Sequence, residues 1–283
     1  MKIISNIDEM RLYAARLVKR GHSIGFVPTM GALHAGHISL VDAAAAADAK
    51  VIVSVFVNQV QFAPNEDFNA YPRPIKKDIK LLRSTKKVDC LFTPEAAEMY
   101  PEGYASHVAL ENSMTACLCG VTRPAHFKGV TTVIAKFLNI VNPDRIYLGQ
   151  KDAQQAMIII KMMRDLNYRT QAVICPIVRE KDGLALSSRN AYLTPEQRNS
   201  APVIFKSLQM VESMVELGER NAETIKKEIR RKIKEENLEI DYVEAVSAAD
   251  LKPAEQLSGK VLIAAAVFVG KTRLIDNIII DIP

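Results

Sequence analysis

The chain reads as an α/β protein, a Rossmann-like doubly wound parallel sheet followed by a smaller C-terminal α+β domain. Three observations predict it. Apolar runs alternate with helical patterns through the first two thirds of the 283 residues, the pattern changes after residue 193, and polar, glycine-containing motifs fall just after apolar runs. The expected division is a Rossmann-like domain over residues 1–178 and a smaller α+β domain over 179–283.

Each element has its own reason. Residues 23–27 are a short apolar run ended by Pro28, and the runs at 50–57, 88–92, 145–148 and 171–178 have the same strand-like character. Between them, residues 38–47 turn to Leu, Val and a run of Ala, all compatible with helix, and 75–84, 130–141 and 153–166 carry helical patterns too. Farther on, Thr194 can cap a helix that has Pro195 at its first position, which predicts helices over 195–217 and 222–236. Three strand-like runs close the chain at 240–246, 260–269 and 273–280, the last two separated by a hairpin turn at Gly270-Lys271-Thr272.

A composition of 48% hydrophobic and 24% charged residues is enough to bury a sizeable core. The net charge of +5 suits small polyanionic substrates and does not call for nucleic acid. Lys226–Lys234 is the nearest thing to a basic cluster, but Ile and Glu interrupt it at helical spacing, as on the solvated face of an amphipathic helix. Cys90, Cys117, Cys119 and Cys175 form no regular framework, so reduced thiols are expected. The first ten residues lack a signal-peptide core, and no apolar run approaches the roughly 20 residues of a membrane span. The expected setting is the cytoplasm, with neither a membrane nor a nucleic-acid partner.

Pro28-Thr29-Met30-Gly31-Ala32-Leu33-His34-Ala35-Gly36-His37 is the most informative segment. It follows an apolar strand and places two of the five histidines three residues apart near a helix N-terminus, where unpaired N–H groups and the positive dipole end attract anions. Gly31 and Gly36 let the backbone approach a ligand, and His34 and His37 can donate to phosphate oxygens whose charge grows in a transition state. Histidine suits the task because a small environmental shift makes it cationic near neutral pH. A metal site is the rival reading, but no nearby Cys or acid completes a tetrahedral set, and no metal ligand is assigned.

Three further segments extend the pattern. Asn58 and Gln61 follow the second strand, and their amides can both donate and accept. In Gly149-Gln150-Lys151-Asp152-Ala153-Gln154-Gln155, Lys151 puts a positive charge at a helix start, while Asp152 is equally suited to capping and to ligand contact. Near the domain boundary Val178, Leu186, Ser187, Ser188 and Arg189 place two hydroxyls beside a guanidinium, a set able to clamp phosphates. Arg123-Pro124-Ala125-His126 adds an arginine and an imidazole.

Taken together, these motifs resemble the pantoate:β-alanine ligase family, in the same order over nearly the whole chain. The first loop alone resembles the wider group of HIGH-type nucleotidyltransferases and class I aminoacyl-tRNA synthetases. Two positions depart from the family pattern: Leu186 stands where methionine is usual, and Ala125 where glycine is usual. Leu for Met conserves volume, whereas Ala125 would be strained if its backbone needed positive φ.

The resemblance implies ATP-dependent condensation of pantoate with β-alanine through a pantoyl-adenylate, releasing pyrophosphate and AMP. It also implies Mg²⁺ carried on the ATP phosphates, a homodimer, and a C-terminal domain that closes as a lid. By the same resemblance His34, His37, Lys151 and Arg189 are catalytic. Met30, Gly31, Ala32, Leu33, Ala35, Gly36, Gly149, Gln150, Asp152, Val178, Leu186, Ser187 and Ser188 would line the ATP site with them. Gln61, Gln155, Asn58 and Thr29 would bind the other substrates. Two alternatives remain open at this point: an enzyme that moves AMP onto a phosphorylated acceptor with the same first loop, and an RNA-binding module descended from a synthetase, against which the modest charge stands.

Overall fold

The computed structural model describes residues 1–64 and 66–282. Among them nine strands form two sheets. The first sheet contains β1 (Lys2–Ile4), β2 (Ile24–Thr29), β3 (Lys50–Val55), β4 (Cys90–Phe92), β5 (Arg145–Gly149) and β6 (Gln171–Cys175), in the order β1-β4-β3-β2-β5-β6 with every pair parallel. The order reverses direction between β2 and β5. In an open α/β sheet that reversal is where ligands bind, beyond the carboxyl ends of the strands. Both strands lead into motifs singled out in the sequence.

By contacts the chain divides into two compact units. One holds Met1–Glu111, Arg123–Gly149 and Ile158–Pro176; the other holds Asn112–Thr122, Gln150–Met157 and Ile177–Pro283. A single cut at 178/179 follows chain order, but two short segments group with the C-terminal residues, for a visible reason. The Gln154 amide donates to the carbonyls of Met114 and Cys117 and accepts from the Cys119 N–H. Asn277 Nδ2 in turn donates to the carbonyls of Gln150 and Lys151, each at 3.0 Å.

The first unit is packed as its strands predict. Ile24, Phe26, Ile52, Val53 and Leu91 are fully buried, as expected of a parallel sheet covered on both faces. Its N-terminus holds two elements not anticipated, β1 and a helix over Ile7–Lys19. Asn6 caps that helix by accepting from the Glu9 N–H, and Met10, Ala14 and Leu17 form its buried stripe.

In the second unit β7 (Glu239–Ser247), β8 (Gly259–Val269) and β9 (Thr272–Ile282) make an antiparallel sheet in that order. A helix over Ala222–Glu235 buries Ile225, Ile229 and Ile233 in the core of this unit. The long helix expected at 195–217 is instead two, Pro195–Ser200 and Val203–Glu216. Pro202 is the cause: it has no N–H to donate, and its ring conflicts with the carbonyl four residues back. Among the described residues, no helix is long and apolar enough to cross a membrane.

Candidate active site

In the first unit the site begins where β2 ends. The strand runs through Pro28 to Thr29, two residues beyond the predicted end, and the next helix starts at Ala35 rather than 38. Thr29 is buried and pins the turn, its hydroxyl donating to the Ser54 carbonyl at 2.7 Å and accepting from the Gly31 N–H at 3.1 Å. Gly31 has φ +84°, and a Cβ there would sit 2.9 Å from Val55 Cγ1, so both conformation and space require glycine. Ala32 follows at φ 51°, a left-handed conformation costly for alanine and therefore held from outside.

Asp78 holds it. Its carboxylate, 2% exposed, accepts from the N–H groups of Ala32 and Leu33, both at 2.9 Å. Sequence reasoning missed this residue, although a signal was present. Asp78 lies on the helix Ile75–Thr85 in register with Ile75, Ile79 and Leu82, an acid in an apolar stripe.

The two histidines close a reciprocal capping box. His34 is the N-cap and its Nδ1 accepts from the Gly36 N–H at 3.1 Å, while His37 Nδ1 accepts from the His34 N–H at 3.2 Å. Their rings lie 4.1 Å apart between centroids. With each Nδ1 accepting from a backbone N–H, Nε2 is the nitrogen left to carry the ring proton. The expectation of open helix amides changes: the Gly36 N–H is taken by His34 Nδ1, and the His37 N–H by the His34 carbonyl at 2.8 Å. The two imidazoles therefore stand together at the positive end of this helix, each with Nδ1 engaged by the backbone.

Asn58 and Gln61 form a second cluster in the same unit, both buried. Asn58 Nδ2 donates to Gln61 Oε1 and to the Gly129 carbonyl, each at 3.1 Å, and Asn58 Oδ1 accepts from the Tyr100 hydroxyl at 2.7 Å. With its amide engaged in this way, Asn58 holds Gln61 in place. Gln61 Nε2 lies 3.3 Å from Met30 Sδ, beside the histidine loop. His126, on the helix His126–Val141, sets its Nδ1 2.9 Å from the Gln61 carbonyl. Gly129 makes this approach feasible, because a Cβ would fall 2.5 Å from Gln61 Cα. Ala125 has φ −89° and ψ −11°, ordinary helical values, so alanine is unstrained there.

Arg123 does not join a ligand-facing set. It forms two hydrogen bonds to Glu66, at 2.7 and 2.6 Å. Burial alone would raise the Glu66 carboxyl, but the Arg123 hydrogen bond and charge outweigh it and hold the group below its ordinary value.

The second unit carries the other motifs. Gln150–Asp152 form a 3₁₀ turn that runs straight into the helix Ala153–Asp165. Asp152 lies 3.7 Å from Lys151 Nζ, an ion pair at the start of this turn. The adjacent glutamines differ: Gln154 is buried and committed, whereas Gln155 is half-buried with no hydrogen-bond partner among the described residues.

Val178–Leu186 fold into a small hairpin, with Leu186 N–H bonded to the Val178 carbonyl and a bridge between Arg179 and Ala185. Arg179 anchors it, forming two hydrogen bonds to Asp276 at 2.6 and 2.9 Å and stacking 3.6 Å from the Phe205 ring centroid. From this anchored hairpin Ser187 caps the 3₁₀ turn Ser188–Tyr192 by accepting from the Arg189 N–H at 3.3 Å. Asp276 and Asn277 are neighbours on β9, so one strand braces both the hairpin and the Lys151 turn. Neither residue was singled out in the sequence. Among the described residues, no group of three or more His, Cys, Asp or Glu side chains is gathered for a metal ion.

Comparison with known proteins fits this architecture. The family model described as pantoate-beta-alanine ligase matches residues 2–279. A pantothenate synthetase from Carboxydothermus hydrogenoformans is 50% identical over 283 residues, covering all of both chains. One from Moorella thermoacetica is 49% identical, covering 100% of this chain and 99% of the other. The crystal structure of pantothenate synthetase from Thermus thermophilus superposes with a TM-score of 0.93 at 39% identity, covering 98% of this chain and 99% of that one. A pantoate-beta-alanine ligase from Francisella tularensis, complexed with beta-gamma ATP and beta-alanine, gives 0.81 at 36% identity over 98% and 97% of the two chains. With a family match across nearly its whole length and half its residues shared with a full-length relative, the chain belongs to the pantoate-beta-alanine ligase family.

Proposed function

We propose that this chain condenses pantoate with β-alanine at the expense of ATP, in two steps at the residues described. A pantoate carboxylate oxygen attacks the α-phosphorus of ATP, the bond from that phosphorus to the bridging oxygen breaks, and pyrophosphate leaves. The β-alanine amine then attacks the acyl carbon of the adenylate, loses a proton, and displaces AMP. The observation that carries the reading is the double-histidine capping box, which sets two imidazoles side by side at the positive end of the helix Ala35–Ala47.

In this reading His34 and His37 stabilise charge that grows on the phosphates as the leaving group separates. Lys151, Ser187, Ser188 and Arg189 hold the triphosphate, and Gly149, Asp152 and Val178 meet the adenosine. Gln61 and Gln155 bind pantoate, and Thr29 and Asn58 fix the loops that present them. No enzyme nucleophile is required, so the rate comes from positioning and electrostatics. ATP enters as its Mg²⁺ complex, a role consistent with Asp78 being occupied by the loop amides. Exclusion of water from the adenylate falls to residues 179–283. Family kinship supports a homodimer and a cytoplasmic setting.

The test is isotope exchange between ATP and pyrophosphate with pantoate present and β-alanine absent. Exchange dependent on pantoate is the expected result, and its absence overturns the reading.

A further inference from the structure

We propose that Tyr100 is a positioning residue that, acting through Asn58, fixes the Gln61 side chain as a hydrogen-bond donor toward pantoate. The inference rests on the reading that Gln61 binds pantoate, and it adds which end of the amide does so and what sets that end.

A primary amide has one accepting and one donating end, and an unconstrained glutamine can present either. Here the choice is made from the backbone outward. The Gly129 carbonyl can only accept, so the Asn58 atom 3.1 Å away is the donating Nδ2. That same Nδ2 lies 3.1 Å from Gln61, and the atom of Gln61 facing it must therefore be the accepting Oε1. Reversing Gln61 would set two NH₂ groups against each other. Its Nε2 is consequently the outward end, and Met30 Sδ at 3.3 Å, a weak acceptor, is its neighbour.

Tyr100 completes the lock from the other side. Asn58 Oδ1 can only accept, so the Tyr100 hydroxyl 2.7 Å away donates to it. Without that donor, the buried Oδ1 would be unsatisfied, and the Gly129 carbonyl alone would be left to hold Asn58 in this orientation. Burial pushes the Tyr100 phenol up, which keeps the proton on the hydroxyl across the working pH range. Its ring is held independently of the hydroxyl, with Tyr104 at 5.0 Å and Phe56 at 6.2 Å between centroids and Lys136 Nζ 5.7 Å from the ring centre. Tyr100→Phe therefore removes the donor while leaving the packing in place.

A donating Gln61 recognises an acceptor oxygen of pantoate, a carboxylate oxygen or a hydroxyl lone pair, and rejects a group that must itself donate at that point. The experiment is steady-state kinetics on the intact enzyme for Tyr100→Phe, Gln61→Ala and the double variant, with KM measured for pantoate and ATP separately. Tyr100→Phe is expected to raise the pantoate KM about tenfold, with the ATP KM unchanged. In the Gln61→Ala background the same change is expected to have no further effect, since Tyr100 acts only through Gln61. Gln61→Glu, which keeps the shape and replaces the outward donor with an acceptor, is expected to raise the pantoate KM more than Gln61→Ala does.

Equal rises in both KM values, additive effects in the double variant, or a Gln61→Glu enzyme that binds pantoate as well as wild type each overturn the inference while leaving the ligase reading intact. A Gln61→Ala enzyme with the wild-type pantoate KM overturns the assignment of pantoate to Gln61, and this inference with it.

Discussion

The capping box gives His34 and His37 two separable duties, and substitutions can divide them. As caps, each imidazole satisfies one N–H at the start of the helix Ala35–Ala47. Losing an N-cap acceptor costs about 1 kcal/mol, or about 2–4 °C in Tm for a chain of this size. In their proposed role as donors to the phosphates, each would contribute to a transition state in which removing one preorganised donor costs about 3–4 kcal/mol, a loss of about 10²–10³ in kcat. His34→Ala loses both contributions. His34→Asn restores an accepting side chain at the N-cap, and His37→Gln restores the third-position partner that reaches back to the cap N–H. Both conservative variants are therefore expected to melt near wild type while kcat stays down about 10²–10³-fold. Calorimetry and pyrophosphate release, measured on the same preparations, separate the two quantities. A His34→Asn enzyme with nearly normal kcat refutes the phosphate role; equal Tm losses in the Asn and Ala variants refute the capping role.

Other perturbations have equally definite outcomes. Asp78→Ala strips the acceptor from two half-buried loop amides and is expected to cost about 2–4 kcal/mol, read by urea unfolding, with the ATP KM rising because Ala32 no longer holds its left-handed turn. Ile229→Ala empties a fully buried position in the core of the second unit that is not itself a candidate site residue, so stability is expected to fall by about 2–5 kcal/mol while kcat is unchanged. Glu66 titrates lower in the fold than in the unfolded chain, so its pairing with Arg123 contributes in full above a pH near the ordinary value of 4.5 and is lost as pH falls through the depressed folded value. Glu66→Gln is expected to remove that part of the acid dependence of unfolding, and an unchanged profile counts against the pair.

What the sequence disclosed divides by distance along the chain. The histidine loop was legible because its contacts are local: strand, glycine, His34 and His37 lie within one short segment, and the box closes between residues three apart. Even so, the composition pattern starts its helix three residues late, because imidazole is an unusual cap. The residues that hold the site were hidden by separation, Asp78 lying 46 residues from Ala32 and Asn277 lying 126 from Lys151. No periodicity reports which adjacent glutamine turns inward; the family resemblance singled out Gln155, and the structure supplies the physical difference, Gln154 being buried and committed to backbone groups. Three misses had local signals: Asp78 is an acid in the apolar stripe of its helix, Asn6 followed by Asp8 and Glu9 announces a helix N-terminus, and Pro202 announces a helix break.

The contrast between the capping box and the Gly129 approach also bears on how the site comes into being. The box can close as soon as one helical turn forms, on the timescale of local structure. Gln61 finds its orientation only when the helix His126–Val141, far later in the chain, docks against it, since Gly129 lies 71 residues from Asn58. Closing so long a loop is slow and must precede the contacts that reward it. The two halves of the proposed site thus differ in kind: the histidine pair is set by neighbours in sequence, whereas the glutamine proposed to meet the acid is set by a contact between distant segments.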